Sequence, residues 1–332
     1  MTKYQPKDSF KSPRFCGVRT FMRLPFVEQI DENMDFVITG IPFDSGQSFR
    51  TGARFGPEAI RDFSILLRPY NPEQDINIFD YISGIDYGDV PIIPGYISET
   101  YKKIEEELTP VIEKGIIPIS LGGDHSITLG ELRAIVKKHG PVALLQFDAH
   151  SDTWNSYFDQ KYNHGTVFRR AIEEGLIDVS RSLQIGMRGG LYGPEDLQDA
   201  RDLGLGVYTT NDYKRIGVEK MLNVIHERVA NGPVFLSFDI DFLDPVYAPG
   251  TGTPEVSGAS IDDALALVTG LTNIDFVGFD LVEVLPSYDH GQITAAAAAN
   301  IVYEFITLIA LAKKGKMEKK ERVGDLETQL NN

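Results

Sequence analysis

The sequence predicts an α/β fold, built on a mostly parallel β-sheet with helices on both faces. Short apolar segments alternate with helix-like segments along most of the chain. The apolar segments are nearly continuous rather than alternating with polar residues, which is typical of strands buried on both faces. Polar residues cluster where these segments end. Because ligands of open parallel sheets bind beyond the carboxyl ends of the strands, we expect a site at that edge.

Seven segments have the apolar character of buried strands, and three between them have helical character. The predicted strands are residues 35–43, 116–123, 142–150, 182–188, 206–210, 233–241 and 276–284. The predicted helices are residues 100–115, 128–140 and 220–232, and the last two end in His-Gly and Asn-Gly, which suits a helix C-cap. Residues 293–312 are long and apolar enough to span a membrane, but Asn300, Glu304 and an alanine-rich first half favour a buried helix.

The 332-residue chain contains no internal repeat and no linker rich in Pro, Gly and Ser, which favours one domain. We place that domain at residues 35–312, between an N-terminal extension (1–34) and a highly charged, solvated or frayed tail (313–332). Residues 1–30 are candidates for contact with a neighbouring subunit.

Composition excludes several classes of protein. The formal net charge of −16 gives no electrostatic support for binding nucleic acid. Cys16 is the only cysteine, so neither an intrachain disulfide nor a cysteine-based zinc cluster can form. The N-terminus lacks the apolar core of a signal peptide. We therefore expect a cytoplasmic protein with no nucleic-acid partner and no membrane span.

The stretch SFDIDFLDP (237–245) places carboxylates at the end of an apolar run, where an unpaired buried charge would be very costly. The stretches DAHSD (148–152) and GGDHS (122–126) follow two other apolar runs. Strand side chains alternate with period two, so the DxHxD and DxD patterns point acids and an imidazole the same way. The resulting candidate metal ligands are His125, Asp148, His150, Asp152, Asp239 and Asp241.

Four carboxylates and two imidazoles without a thiolate suit Mn²⁺, with Co²⁺, Ni²⁺, Fe²⁺ or Zn²⁺ accepted by the same donors. Two divalent ions would cancel the four negative charges of the aspartates. Two metal ions held close together also lower the pKa of a water molecule that they share. One DxD pair alone is weak evidence, and an EF-hand loop from Asp239 is excluded because its twelfth position is Gly250. Asp124 is expected to support His125 and fix its tautomer.

These three motifs together resemble the metal-binding motifs of the ureohydrolases, the superfamily of arginase and agmatinase. The resemblance covers most of the chain, from FVITGIPFDSG (36–46) to the terminal helix. It implies a three-layer α/β/α sandwich with about eight strands, a centre of two Mn²⁺ ions, and a homo-oligomer, either a trimer or a hexamer.

The resemblance also implies roles for individual residues. One metal would be held by His125, Asp148, Asp152 and Asp239, and the other by Asp148, His150, Asp239 and Asp241. Glu283 in DLVEV matches the guanidinium-binding glutamate, and His164 in NHGT matches a histidine that relays protons or orients the leaving group. Asp241 would stabilise the tetrahedral intermediate as urea and an amine form.

The loop after DAHSD bears on the substrate. Arginases carry an Asn two positions past its last Asp, where this chain has Trp154, so arginine is disfavoured. The segments GTGTPEVSG (250–258) and RTGARFGPEAIR (50–61) resemble the agmatinase branch, and the acidic balance favours cationic agmatine. The branch also contains hydrolases of 4-guanidinobutyrate and 3-guanidinopropionate, which stay open because Trp154, Tyr157 and Phe158 suggest a shorter pocket. Trp154 and Tyr157 are candidate substrate-binding residues, with loop packing as the alternative.

Two other classes of protein fit the sequence less well. A metal-dependent deacetylase of similar fold would need an adjacent histidine pair, and the chain contains no His-His dipeptide. A non-catalytic relative acting as a regulatory subunit would be expected to lack some metal ligands, and all six positions are filled. Metal content of about two, one or no ions per chain would separate the three classes.

Overall fold

The computed structural model describes the backbone of residues 3–330 and side-chain burial for residues 3–320. Its strands are β1 (Phe36–Ile41), β2 (Tyr70–Asn71), β3 (Ile76–Asn77), β4 (Gly84–Asp89), β5 (Ile117–Gly122), β6 (Ala143–Phe147), β7 (Leu183–Met187), β8 (Gly206–Thr209), β9 (Val234–Asp239) and β10 (Phe276–Val282). Within residues 3–330, eight of these strands form one sheet in the order β4-β1-β5-β10-β9-β6-β7-β8, while β2 and β3 form a short antiparallel pair. Every pairing in the large sheet is parallel.

Helices follow most strands, as parallel connections require. They are α1 (Gly56–Ser64), α2 (Ile97–Glu113), α3 (Thr128–His139), α4 (Val167–Glu173), α5 (Glu195–Asp202), α6 (Thr210–Ile216), α7 (Val218–Val229), α8 (Ile261–Thr269) and α9 (Ile293–Leu330). Short 3₁₀ turns follow β5 at His125–Ile127 and β9 at Ile240–Phe242, and another precedes α4 at His164–Thr166.

Separate hydrophobic cores lie on the two faces of the sheet. On one face α1, α7, α8 and α9 pack against the strands, and Phe305 of α9 stacks on Phe279 of β10 with ring centroids 4.9 Å apart. On the other face Ile104 of α2 and Ile135 of α3 pack with Leu144 of β6. The molecule is therefore the predicted three-layer α/β/α sandwich, and this prediction is confirmed.

Each of the seven predicted strands contains an observed strand, whereas β4 and the two-residue strands β2 and β3 were not predicted. Of these three, β4 belongs to the large sheet. Its sequence, GIDYGD, has two glycines and two aspartates and no apolar run. The predicted helix at 293–312 is confirmed as buried, with 72% of its most apolar 18-residue window inside the fold. The helix continues through Leu330, so the boundary placed at residue 312 falls inside it. Residues 331–332 of the predicted tail lie outside the described residues.

The N-terminal segment packs along the outer side of β4. Phe26 forms a parallel bridge with Asp86, and the Phe21 backbone N–H donates to the Asp86 carboxylate at 2.8 Å. Phe21 and Met22 are buried in the main core. Residues 21–26 therefore belong to the folded body, although the predicted extension reached residue 34; residues 1–2 lie outside the described residues.

The central four strands of the sheet are β5, β10, β9 and β6, in that order. Because all are parallel, their carboxyl ends meet at one edge. The motifs GGDHS, DLVEV, SFDIDFLDP and DAHSD follow these four strands, so the topology brings together four segments that are far apart in sequence.

Candidate active site

His125 lies at the centre of the first group of candidate ligands. Its Nδ1 is 3.1 Å from a carboxylate oxygen of Asp148, 3.0 Å from one of Asp152 and 3.3 Å from one of Asp239. Asp152 has φ 52°, a left-handed conformation that turns the chain after the strand. Among the described residues, His125, Asp148 and Asp239 offer ligand atoms that all lie within 4.8 Å of one another.

The second group comprises Asp148, His150 and Asp241. His150 Nδ1 is 3.0 Å from Oδ2 of Asp241 and 3.6 Å from Oδ1 of Asp148. Asp148 thus has one oxygen in each group. Asp239, which the resemblance also assigned to both metals, groups with His125, and its Oδ1 accepts the Asp241 backbone N–H at 2.8 Å.

The donor set fits a pair of divalent cations. Nδ1 of His125 and Oδ2 of Asp241 are buried and have no hydrogen-bond partner. Burial and the neighbouring Asp241 and Asp148 raise the pKa of Asp239 well above its usual range, so the acids repel one another strongly. Burial alone would lower the pKa of His125, but three carboxylates around it raise that pKa well above its usual range. Bound cations would relieve this crowding of charge.

Two glutamines on neighbouring strands orient Asp148. Gln146 Nε2 donates to Oδ2 of Asp148 at 2.7 Å and to the backbone carbonyl of His150 at 3.0 Å. Gln184 on β7 donates in turn to Gln146 Oε1 at 2.6 Å and to the backbone carbonyl of Ser151 at 2.6 Å. These bonds fix the DAHSD turn from beneath, which holds its ligands in position.

The tautomer of His125 is set by Ser237 on β9, two residues before Asp239. The hydroxyl of Ser237 donates to Asp280 at 2.7 Å, so it accepts from His125 Nε2–H at 2.8 Å. In the neutral imidazole that binds a metal, Nδ1 is then the nitrogen without a proton. The expectation that Asp124 does this is wrong, because its carboxylate instead accepts the backbone N–H groups of Ser126 and Gly46.

Glu283 lies immediately after β10 with φ 64°, a strained conformation for a non-glycine residue that is typical of functional sites. Its Oε1 accepts the backbone N–H of His125 at 3.0 Å and lies 3.2 Å from Nδ1 of His164. Its Oε2 accepts from Gln47 Nε2 at 2.7 Å. His164 Nε2 contacts the Ser48 hydroxyl at 2.7 Å. Glu283 and His164, assigned separate roles by the resemblance, are thus in direct contact.

A cavity of about 450 Å³ opens over the ligands. Its inner wall includes His150, Asp152, Asp239 and His164, and its outer wall includes three aromatic side chains, Trp154, Tyr157 and Tyr192. The Trp154 ring lies 4.8 Å from that of Tyr157 and 5.5 Å from that of Tyr192, centroid to centroid. Trp154 and Tyr157 therefore line the pocket, as expected of substrate-binding residues.

Among the described residues that line this cavity, Arg188 is the single Lys or Arg. Its guanidinium donates to backbone carbonyls, including those of Asp241 at 2.5 Å and Glu255 at 2.8 Å. The side chains of Asp196 and Glu255 lie on the outer wall. The lining thus includes two acidic residues, of which Asp196 accepts the Tyr192 backbone N–H at 2.8 Å, while the Arg188 guanidinium holds the loops together.

Comparison with known proteins agrees with this arrangement. The family model described as "Arginase family" matches residues 34–307. The chain belongs to the arginase family. It is 43% identical to a guanidinobutyrase of Pseudomonas aeruginosa over 92% of this chain and 97% of that protein. It is also 43% identical to an agmatinase of Neisseria meningitidis serogroup C, over 87% of this chain and 92% of that protein. The solved structure of proclavaminate amidino hydrolase from Streptomyces clavuligerus superposes with a TM-score of 0.87 at 40% identity, covering 91% of this chain and all of that one.

Membership of the arginase family makes this protein a guanidino hydrolase that acts on C–N bonds. The family depends on a binuclear metal centre, and the His and Asp groups of this chain are the residues that would hold it.

Several residues that support this arginase-family site were not predicted from the sequence. Gln146, Gln184 and Ser237 are polar side chains inside apolar strands, and all are fully buried. A polar residue in a buried strand needs a partner, which is the signal that could have found them. Gln47 lies in a loop and gives no such signal.

Proposed function

We propose that this enzyme hydrolyses agmatine to putrescine and urea. The charge of the cavity lining carries the proposal, because Asp196 and Glu255 line the cavity while the Arg188 guanidinium is held by backbone carbonyls. A cationic substrate tail gains from these acids, whereas an anionic tail would find no free Lys or Arg on the described wall. The aromatic faces of Trp154 and Tyr192 add cation–π attraction for an ammonium group.

Glu283 would hold the guanidinium group. A carboxylate has about four acceptor positions, and a guanidinium donates strong, charge-assisted hydrogen bonds to such oxygens. Three donors already approach Glu283, so a guanidinium takes the free position and shares Oε2 with Gln47. These contacts aim the carboxylate and set the orientation of the guanidinium carbon beside the carboxylate cluster.

Hydrolysis adds water to that carbon and breaks its bond to the nitrogen carrying the tail. Divalent ions at the site would supply Lewis-acid chemistry, which lowers the pKa of water towards neutrality. The leaving nitrogen needs a proton, and His164, bonded to Ser48 and Glu283, is placed to deliver it. Asp241, whose Oδ2 lies 3.0 Å from Nδ1 of His150, would stabilise the tetrahedral carbon intermediate. Urea and the amine then depart.

We propose Mn²⁺ as the native metal, at two ions per chain, because four carboxylates and two imidazoles suit it; Ni²⁺ and Co²⁺ are alternatives. Elemental analysis of the purified protein tests this directly. Asp239→Ala should abolish both metal retention and turnover, and substantial activity in that variant would contradict the assignment. We also propose a cytoplasmic location, consistent with the free, exposed Cys16.

A guanidino acid is the second candidate substrate, favoured by the identity to guanidinobutyrase. The test is a urea-release panel of agmatine, 4-guanidinobutyrate, 3-guanidinopropionate, arginine and guanidine with added Mn²⁺ or Ni²⁺. We expect the highest kcat/KM with agmatine, and Glu283→Gln should suppress activity on every substrate. A higher kcat/KM for a guanidino acid than for agmatine would overturn the substrate proposal and leave the hydrolase assignment intact.

A further inference from the structure

A row of polar side chains crosses one buried face of the sheet, just beneath the candidate metal ligands. The registers of the paired strands place these side chains next to one another, and all of them are buried. In sheet order they are Thr39 of β1, Ser120 of β5, Asp280 of β10, Ser237 of β9, Gln146 of β6 and Gln184 of β7. Residues in register on neighbouring parallel strands point to the same face, so the row is a single polar layer. Its one acid is Asp280.

Glu131 on α3 brings a second acid to this layer. The residue is 1% exposed, and its carboxyl group lies beside Asp280 and Ser120. Among the described residues, neither oxygen of Glu131 has a hydrogen-bond partner of ordinary geometry, and the Ser120 hydroxyl has none either. An unpaired buried carboxylate next to a second carboxylate would be very costly. One of the two acids must therefore carry a proton.

The hydrogen bonds indicate that this proton is on Glu131. Asp280 accepts from the Ser237 hydroxyl at 2.7 Å and from the Thr128 hydroxyl at 2.6 Å, one on each oxygen. Hydrogen bonds donated to a carboxylate favour its charged form, and Glu131 receives none of this kind. Burial and the negative charge of Asp280 also raise the pKa of Glu131 well above its usual range. A protonated Glu131 gains an O–H donor, and Asp280 is the acceptor beside it.

We propose that Glu131 is a positioning residue of the metal centre, an uncharged carboxylic acid whose O–H donates to Asp280 and keeps Asp280 ionised. An ionised Asp280 can only accept, so the Ser237 hydroxyl donates to it and accepts from Nε2–H of His125. Nδ1 of the neutral imidazole is then the nitrogen that can bind a metal. If the proton lay on Asp280 instead, Asp280 could donate to Ser237 and Ser237 to Nε2. The imidazole proton would then move to Nδ1, where it competes with the metal.

Two substitutions separate this hydrogen bond from simple filling of the core. The side chain of glutamine is close in shape to a protonated glutamic acid, and its amide can donate to Asp280 in the same way. Leucine is comparable in size but has no donor. Glu131→Gln should therefore preserve the direction of the hydrogen bonds, whereas Glu131→Leu removes the donor that keeps Asp280 ionised.

The first experiment titrates the metal-free proteins with Mn²⁺ by calorimetry. Removal of a residue that supports a ligand typically costs 10- to 100-fold in metal affinity, so we expect a loss of about that size for Glu131→Leu and a change within about twofold for Glu131→Gln. Thermal melts of the same metal-free samples report the cost to the fold. If Glu131→Leu melts earlier than the wild type but binds Mn²⁺ equally well, Glu131 only fills the core and the proposal is wrong. Equal losses of affinity in both variants would also overturn it, because they would show that an ionised carboxylate is needed.

The second experiment observes the proton itself and needs only the glutamine variant. The infrared difference spectrum of Mn²⁺-loaded wild type minus Mn²⁺-loaded Glu131→Gln at neutral pH should contain the carbonyl stretch of a protonated carboxylic acid. The stretches of an ionised carboxylate in its place would overturn the proposal. The arginase family depends on a binuclear metal centre whichever guanidino compound is hydrolysed. Neither experiment measures turnover, so a substrate other than agmatine would leave both expected results unchanged.

Discussion

Gly252 lies against the carboxylate of Glu283 and offers a clean perturbation of guanidinium binding. A Cβ at this position would be 3.1 Å from Glu283 Oε2, 3.1 Å from Gln47 Nε2 and 3.6 Å from the Arg50 carbonyl. Gly252 is not among the positive-φ residues, so its backbone accepts alanine without strain. Gly252→Ala should therefore leave the fold and the metal ligands unchanged and place a methyl group where the guanidinium shares Oε2.

The expected effect is the loss of the charge-assisted hydrogen bond that the guanidinium makes to Oε2 of Glu283. Such a bond contributes about 1.5–3 kcal/mol, so kcat/KM should fall by about 10- to 150-fold. The methyl group blocks ground state and transition state alike, so KM should rise while metal content stays constant.

The assay is urea release under initial-rate conditions, with metal content measured on the same preparation. Gly190→Ala is the control, since Gly190 also lines the cavity but its Cβ would meet nothing within 4 Å. If kcat/KM of Gly252→Ala stays within about twofold of this control, Glu283 does not receive the guanidinium in the way derived from the structure.

Three further predictions concern residues away from the cavity wall. Ser237→Ala removes the partner of His125 Nε2, so metal affinity should fall about 10- to 100-fold in a metal titration, and unchanged affinity would argue against the tautomer assignment. The Arg61 guanidinium donates to the buried Asp86 carboxylate at 2.8 and 3.0 Å. Arg61→Ala leaves that carboxylate without its ion-pair partner and should lower the free energy of unfolding in urea by about 3–5 kcal/mol. A loss below about 1 kcal/mol would show that the pair behaves like a surface salt bridge. Burial raises the pKa of Glu304 to about 7 from its usual 4.5, so the folded chain keeps a proton that the unfolded chain has released and stability declines as pH rises through this interval. Glu304→Gln should flatten that decline in thermal melts, and an identical pH slope would contradict it.

The strands of the sheet interior were predictable because burial on both faces determines their sequence. Strands buried on both faces must be apolar along their whole length, so β5, β6, β9 and β10 were visible as apolar runs. Strand β4 is an edge strand covered by the N-terminal segment, and the Asp86 carboxylate within it is paired with Arg61. That pairing joins residues 25 positions apart, and no local pattern reveals it.

The candidate ligands were predictable because period-two spacing and the cost of buried charge act within a few residues. The residues that hold these ligands in place were not predictable in this way. Ser237 lies on β9 and His125 follows β5, and β10 lies between these two strands in the sheet. Strand order is a property of the whole chain, and so is the choice of Ser237 over Asp124 as the partner of that imidazole. The length of α9 was also missed, since a charged sequence continues a helix as readily as it ends one.

The position of β10 in the sheet bears on how the molecule is made. This strand leaves the ribosome after every other strand, yet it lies in the middle, between β5 and β9. Until residue 282 is synthesised, the nascent chain can hold only two incomplete half-sheets, β4-β1-β5 and β9-β6-β7-β8, each with an open hydrogen-bonding edge. Those edges are prone to pairing with other chains during translation. Glu283 follows directly, so completion of the fold and arrival of the guanidinium-binding carboxylate occur in the same step of synthesis.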